Sequence, residues 1–165
     1  MPRKPQSKIR AALIAFCGLC ALAAGVRAAA LAPGDIVGTW RIVSYVHKDA
    51  AGETSLPMGA HPNGVLIVGA DRRCTLIVVA EGRKAAHDEE GYAELAKTMI
   101  GYSAPFTDEA YGAALKVTLH PDVSWNETMT GASLVRFVSL EDGKLVVRSP
   151  PGPNGAAVAK FERAR

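Results

Sequence analysis

Short apolar runs with a repeat of two residues recur through most of this chain and are bounded by Gly, Pro and Asp. Such runs are typical of β-strands with one buried face, because successive side chains of a strand point to opposite sides. The fold is therefore expected to be all-β, with roughly eight short strands. The pattern predicts strands at Thr39–His47, Gly64–Val68, Arg73–Val79, Ala114–Leu119, Leu134–Leu140, Lys144–Ser149 and Ala157–Arg163.

Turn signals join several of these strands into hairpins. The Glu-Asp-Gly segment at 141–143 separates two runs, and Asp-Gly is a strong hairpin signal. The segment 69–72 predicts a second hairpin, whereas 51–63 contains two Pro and two Gly and predicts a loop.

One helix interrupts the strand pattern. Asp88 is expected to act as its N-cap and Gly101 to end it. Its apolar stripe is expected to pack against the sheet, with the following positions at helical spacing: Tyr92, Leu95, Ala96 and Met99.

Hairpin-connected strands favour a closed antiparallel barrel of about eight strands, because closure removes exposed strand edges. A β-sandwich of two packed sheets is the alternative that the same pattern leaves open. A barrel of this size can hold one small ligand in its interior. On the first strand, strict alternation places on one face Trp40, Ile42, Ser44 and Val46.

The first 28 residues have a different composition from the remainder. Basic residues without any acid precede an apolar stretch at 11–24, and small residues follow around Ala28. This order is typical of a secretory signal peptide, and the apolar stretch is shorter than the roughly twenty residues of a membrane span. We expect a cleaved signal peptide at 1–28, a lead-in at 29–37 that is exposed over Ala29–Asp35, and one domain at 38–165. An uncleaved membrane anchor is the alternative; cleavage predicts a secreted or periplasmic protein.

Signal cleavage would change the charge and the thiol content. Five of the 19 basic residues and none of the 16 acidic residues lie in 1–28, which leaves 14 basic and 16 acidic residues. A basic surface for nucleic acid is therefore not expected. Of the three cysteines only Cys74 would remain, so no internal disulfide is expected. We interpret Cys74, within an apolar run, as a core residue and not as a nucleophile.

Five segments carry a resemblance to one family: Gly38–Ser44, Pro57–Ile67, Gly101–Phe106, Gly131–Phe137 and Phe161–Arg163. They resemble the bacterial and fungal lipocalin-like domains. The resemblance covers nearly all of 38–165, although Val68, Arg72, Ala104 and Phe106 depart from the residues that are common in the family. It implies an eight-stranded barrel, with a helix over one end. It also implies a structural role for Trp40, with Arg163 of the last strand packed over its ring.

Candidate site residues follow from these expectations. The four His residues show no metal-binding spacing, so neither a metal nor a cofactor is expected. His120 with Asp122 or Glu127 in one loop is a candidate acid–base group. A pocket that is mostly apolar with few polar anchors is the usual form of a small-molecule site. The candidate ligand contacts are Ser44, Val46, Tyr102, Phe106 and Trp125.

Three functions remain open at this point. The first is binding of a small hydrophobic or aromatic molecule in the barrel, as a carrier, scavenger or sensor. The second is an enzyme of isomerase or cyclase type that uses His120 and a nearby carboxylate. The third is a protein-interaction module of the cell envelope, which predicts an exposed apolar patch. The oligomeric state and the identity of the ligand are not specified by the sequence.

Overall fold

The computed structural model describes residues 30–165, and the predicted signal peptide at 1–28 lies outside the described residues. One α-helix, α1 (Glu89–Lys97), and two short 3-10 helices (Pro33–Ile36 and Glu127–Met129) accompany ten strands. The strands are β1 (Gly38–Lys48), β2 (Thr54–Ser55), β3 (Asn63–Val68), β4 (Arg73–Val79), β5 (Met99–Tyr111), β6 (Ala114–Leu119), β7 (Val123–Ser124), β8 (Leu134–Glu141), β9 (Lys144–Arg148) and β10 (Ala156–Arg163).

Eight of these strands form a closed antiparallel barrel. They follow the order β10-β9-β8-β6-β5-β4-β3-β1, and β1 pairs again with β10 to complete the ring. The two-residue strands β2 and β7 are additions that pair with β1 and β5. The predicted all-β barrel with one short helix is therefore confirmed, and the sandwich alternative is wrong.

The longest strand, β5, is absent from the sequence prediction. The helix ends at Lys97, with Thr98 as its C-cap, and not at Gly101. Met99 accordingly begins β5 instead of extending the helical stripe. Within β5, Pro105 contributes only its carbonyl, which accepts a hydrogen bond from the His120 N–H at 3.0 Å. The missing N–H of proline therefore destabilises the sheet little at this position.

A bulge in β1 changes which side chains face the interior. The β1–β10 register shifts between Ile42 and Ser44. Beyond the shift Tyr45 lines the barrel interior, whereas Ser44 and Val46 do not. The prediction that Ser44 and Val46 share a face with Trp40 is therefore wrong, because one extra residue inverts the alternation.

Trp40 closes one end of the barrel. Its side chain is 1% exposed, and its Nε1–H donates a hydrogen bond to the Ile36 carbonyl at 2.8 Å. The Arg163 guanidinium lies over the ring, with Cζ 4.3 Å from the ring centroid, as the family resemblance implies. Arg163 also donates to the carbonyls of Val37 and Asp35, each at 3.0 Å. The last strand is thereby tied to the segment that precedes the first.

The lead-in is not wholly exposed, in contrast to the prediction for Ala29–Asp35. Leu31 is buried, and its N–H donates to the Ala113 carbonyl at 3.2 Å. Ile36, in the 3-10 helix that follows, is buried as well. Both side chains join the apolar core near the Trp40 end.

The opposite end carries the longer connections. Because the strands are antiparallel, four connections lie at this end. They run from β1 to β3, from β4 to β5, from β6 to β8 and from β9 to β10. Helix α1 belongs to the second of these connections, and none of its residues is buried. Tyr92 is 63% exposed, so the predicted packing of the helical stripe does not include this residue. Within residues 30–165, no helix has the length and apolarity that a bilayer crossing requires.

Candidate functional site

A cavity of about 290 Å³ lies inside the barrel. All eight barrel strands contribute to its wall, and Ile36 and Met129 of the two 3-10 helices complete it. The volume is near the lower end of the range of about 300–1,000 Å³ that is typical of small-molecule pockets. The strand residues whose side chains are apolar are Leu66, Val68, Leu76, Ile100, Phe106, Val117, Leu119, Val138, Leu145, Val147, Ala157, Ala159 and Phe161.

Few polar groups interrupt this apolar wall. They are the hydroxyls of Tyr45, Tyr102 and Ser149, the thiol of Cys74 and the guanidinium of Arg136. Within residues 30–165, no aspartate or glutamate belongs to the lining. The cavity therefore carries one positive charge and several neutral polar groups on a hydrocarbon surface.

Arg136 is the charged group of the cavity. It is the third residue of β8 and is partly buried. Its Nη1–H donates to the carbonyl of the neighbouring Val135 at 2.7 Å. Across residues 30–165, no carboxylate forms an ion pair with Arg136. Since a guanidinium carries five N–H donors, most of its hydrogen-bonding capacity is left for a ligand or solvent.

The two cavity tyrosines stay protonated. Burial raises the pKa of Tyr102 far above the usual tyrosine range, and the positive charge of Arg136 opposes that rise. Burial likewise raises the pKa of Tyr45, again opposed by Arg136. Both hydroxyls are therefore neutral donors at physiological pH, and both lie within the electrostatic influence of the same guanidinium.

The cavity also contains the thiol of Cys74. Burial raises its pKa to about 11, against smaller opposing effects of the charges of Arg73 and Arg136. A thiol with so high a pKa carries little thiolate at neutral pH and is a weak nucleophile. The interpretation of Cys74 as a core residue agrees with its 5% exposure.

The structure brings two of the five candidate ligand contacts into the cavity. Tyr102 and Phe106, both on β5, line it. Ser44 and Val46 lie outside it for the reason given above. Trp125 is 40% exposed and packs on the outside of the barrel against Gly101. The backbone N–H of Trp125 donates a hydrogen bond to the Gly101 carbonyl at 3.1 Å.

The three candidate acid–base residues also lie outside the cavity. His120 is exposed, and its Nδ1 is 3.3 Å from the Ser133 hydroxyl. Asp122 accepts two hydrogen bonds from Arg73, at 2.8 and 2.6 Å, and this pairing holds its pKa below the usual value. Glu127 is exposed. The geometry that the enzyme hypothesis requires, with His120 facing a cavity beside a carboxylate, is not found in residues 30–165.

The outer surface has some exposed apolar side chains. Ile67 of β3 and Ile77 of β4 are each about half exposed. Val123 of β7 is 65% exposed. These side chains form no enclosed site, so that the internal cavity is the stronger candidate for a binding site.

Sequence reasoning missed Arg136 and Tyr45 as cavity residues. For Arg136 a signal was available, because in 134–138 it shares the period-two face of Leu134 and Val138, which is an apolar face. A charge on such a face is unusual and points to a function. For Tyr45 no signal was available, because a bulge at this point of β1 has no distinctive residue.

A family model described as a lipocalin-like domain matches residues 37–159. The match spans all eight barrel strands, although β10 continues beyond it. Searches of curated proteins and of solved structures find no match.

Proposed function

We infer the function from one premise: the chain belongs to the lipocalin-like domain family. We propose that its barrel binds a small, mostly apolar molecule, and that the protein acts as a carrier, scavenger or sensor. The observation that carries this proposal is the internal cavity of about 290 Å³ with its apolar wall.

The apolar wall and its polar groups favour binding of a ligand without a catalysed reaction. Burial of apolar ligand surface stabilises a complex by roughly 25 cal/mol per Å² before the costs of association are subtracted. The buried thiol of Cys74 and the neutral tyrosines offer no activated nucleophile or base. Binding is therefore the function that the cavity supports best.

Binding can be tested with N-phenylnaphthylamine, a neutral probe whose fluorescence rises in apolar surroundings. We expect a saturable increase with the purified protein. Ala159→Phe would fill the cavity from β10 and should abolish the increase, whereas Ala110→Phe, at an exposed position on β5, should not. Equal binding by both variants would place the probe outside the cavity and contradict the proposal.

An extrinsic probe suits this protein better than tryptophan fluorescence. Trp40 is sealed at the closed end under Arg163, and Trp125 lies on the outside, so neither ring lines the cavity. Native mass spectrometry of the purified protein is the complementary experiment, because a co-purified mass that Ala159→Phe lacks would identify the ligand itself.

We further propose that the domain acts after export, because 1–28 has the basic start, short apolar core and small-residue cleavage region of a signal peptide. N-terminal sequencing of the protein recovered from an expressing cell tests this. A first residue near Ala29, in an extracytoplasmic fraction, is the expected result. Retention of Met1 in the cytoplasm would contradict export and leave the binding proposal intact.

A further inference from the structure

We propose that the ligand is a small amphipathic carboxylate, whose anionic head pairs with Arg136 while its apolar part occupies the cavity. This inference rests on the proposed binding function and adds the chemical class of the ligand. The geometry points to it through the position of Arg136, the absence of acids from the cavity wall and the neutral donors nearby.

The first step concerns the distribution of ion pairs. Arg41, Arg73 and Arg148 pair with Glu162, Asp122 and Glu141 on the outer surface, where water screens such pairs and they contribute little. Arg136 faces the cavity, where an unpaired charge is most costly, and has no such partner among residues 30–165. A charge that folding leaves uncompensated in an apolar site is expected to have a partner from outside the chain.

The second step concerns the sign and shape of that partner. Among the described residues, 30–165, the cavity wall contains one cation and no acidic residue, so that an anion is favoured and a cation is repelled. A guanidinium presents parallel N–H groups that match the two oxygens of a carboxylate. The hydroxyls of Tyr45 and Tyr102, kept neutral by burial, can each donate a hydrogen bond, and such a bond is stronger to a charged carboxylate oxygen than to a neutral acceptor.

The third step concerns the direction of the ligand. Arg136 is near the start of β8, and Ser149 directly follows β9, so both lie toward the end of the barrel where the longer connections emerge. The wall toward the Trp40 end is apolar, with Ile36, Leu145 and Phe161. A carboxylate at Arg136 therefore places the apolar part of the ligand deep in the barrel, beneath the charged head. One singly charged group above a hydrocarbon wall fits a monocarboxylate better than a multiply charged phosphate.

Competition against bound N-phenylnaphthylamine tests the inference with three probes that share one chain length: decanoate, decanol and decyltrimethylammonium. We expect decanoate to bind at least about tenfold more tightly than decanol, since hydrogen bonds to a charged group are worth about tenfold or more in affinity. Decyltrimethylammonium should bind most weakly. Equal affinities of decanoate and decanol for the unaltered protein would overturn the inference without any variant, while displacement by both would keep the binding function.

Variants locate the effect. Arg136→Met removes the positive charge and keeps a side chain of similar length, so decanoate and decanol should bind to it with similar affinities. Arg136→Lys retains the charge and should keep part of the preference. Arg148→Met removes a cation from the outer face of the neighbouring strand β9, and should leave the preference unchanged.

Two further outcomes distinguish the proposed binding function from the proposed carboxylate preference. A decanoate preference that persists in Arg136→Met would assign the preference to another group and overturn the role of Arg136. If neither the fluorescent probe nor any of the three competitors binds, the binding function itself fails. Cooperative unfolding in urea serves in every variant as the check that the barrel has folded.

Discussion

Arg136 and Val138 occupy neighbouring inward positions on β8. The apolar Val138 contributes to packing, whereas the charged Arg136 is suited to binding a ligand. A valine in the wall stabilises the barrel because folding removes its apolar side chain from water. The arginine forms one hydrogen bond within residues 30–165, to the Val135 carbonyl, and no ion pair there. Residues that weaken a fold at a cavity are often those that function requires, because activity and stability compete for the same positions.

The stability of Arg136→Met measures this competition. We expect the free energy of unfolding, from urea denaturation, to rise by on the order of 1 kcal/mol, because the substitution removes an uncompensated and partly buried charge. Arg136→Lys keeps the charge and should show no comparable gain. A marked loss of stability in Arg136→Met would indicate that the arginine has a structural role.

Cys74 allows a second residue-scale test. At pH values below both pKa values, raising the pKa of a thiol from 9.0 to about 11 lowers its thiolate fraction about a hundredfold. We therefore expect Cys74 to react with iodoacetamide about a hundredfold more slowly than an exposed cysteine, even before steric protection is counted. Mass spectrometry of the tryptic peptide that contains Cys74 gives the rate.

Denaturant provides the control for the thiol experiment. In guanidinium chloride the burial is lost, and the reaction of Cys74 should reach the rate of a free thiol. Rapid alkylation of the folded protein would show that the cavity wall opens at β4, and would contradict the buried environment.

At the scale of elements, the alternating apolar pattern predicts most of the barrel. β4 and β6 have the predicted bounds, and β1, β3, β8, β9 and β10 differ from them by one residue at one or both ends. β5 was missed because Gly101, Pro105 and two acids interrupt its composition. Its inward positions Ile100, Tyr102, Ala104 and Phe106 nevertheless keep a strict repeat of two.

The bulge in β1 marks the limit of this kind of prediction. A bulge depends on the register between two strands, and residues 40–46 contain no glycine from which one could be predicted. The cavity contacts of β1 were therefore assigned to the wrong face. Tyr102 and Phe106 were predicted although β5 was missed, because they lie in the segment Gly101–Phe106 that resembles the family. The contacts on β1 could not be predicted, because they depend on the register between β1 and β10.

Close approach of β3 and β4 at Gly64 gives a test at this scale. A Cβ at Gly64 would clash with the Ile77 carbonyl oxygen and would lie 2.7 Å from the Val78 Cα. Because both atoms belong to the backbone, the strands themselves would have to separate. We expect Gly64→Ala to lower the free energy of unfolding by about 1–3 kcal/mol, measured by urea denaturation.

Gly34→Ala is the matched control for that test. No heavy atom of residues 30–165 lies within 4 Å of a Cβ built at Gly34, so a change within about 0.5 kcal/mol is expected. Similar losses in both variants would show that glycine itself, and not the contact between β3 and β4, determines the effect.

For the whole molecule, the distribution of charge predicts how stability depends on pH. Four exposed carboxyl groups have pKa values below those of the unfolded chain, because arginines or backbone N–H groups stabilise their charged forms. Such groups stabilise the fold above the unfolded pKa, and this contribution is lost as the pH falls through the folded pKa. The groups are Glu81, Asp122, Glu141 and Glu162.

We therefore expect the midpoint of thermal unfolding to be nearly constant from about pH 7 to about pH 5, and to fall below about pH 4.5. Calorimetry across this range measures it. Asp122→Asn removes one of these carboxylates from its pair with Arg73 and should make the decline shallower. A midpoint that does not change down to about pH 3 would show that these pairs do not contribute to folding.

The closure of the barrel between β1 and β10, with Trp40 opposite Arg163, also has a consequence for biosynthesis. The ribosome makes β1 first and β10 last, so a nascent chain lacks the partner that completes the ring until synthesis is almost finished. Until then β1 keeps one unpaired edge, and Trp40 lacks its arginine cover. The ring can therefore close only after β10 has been made.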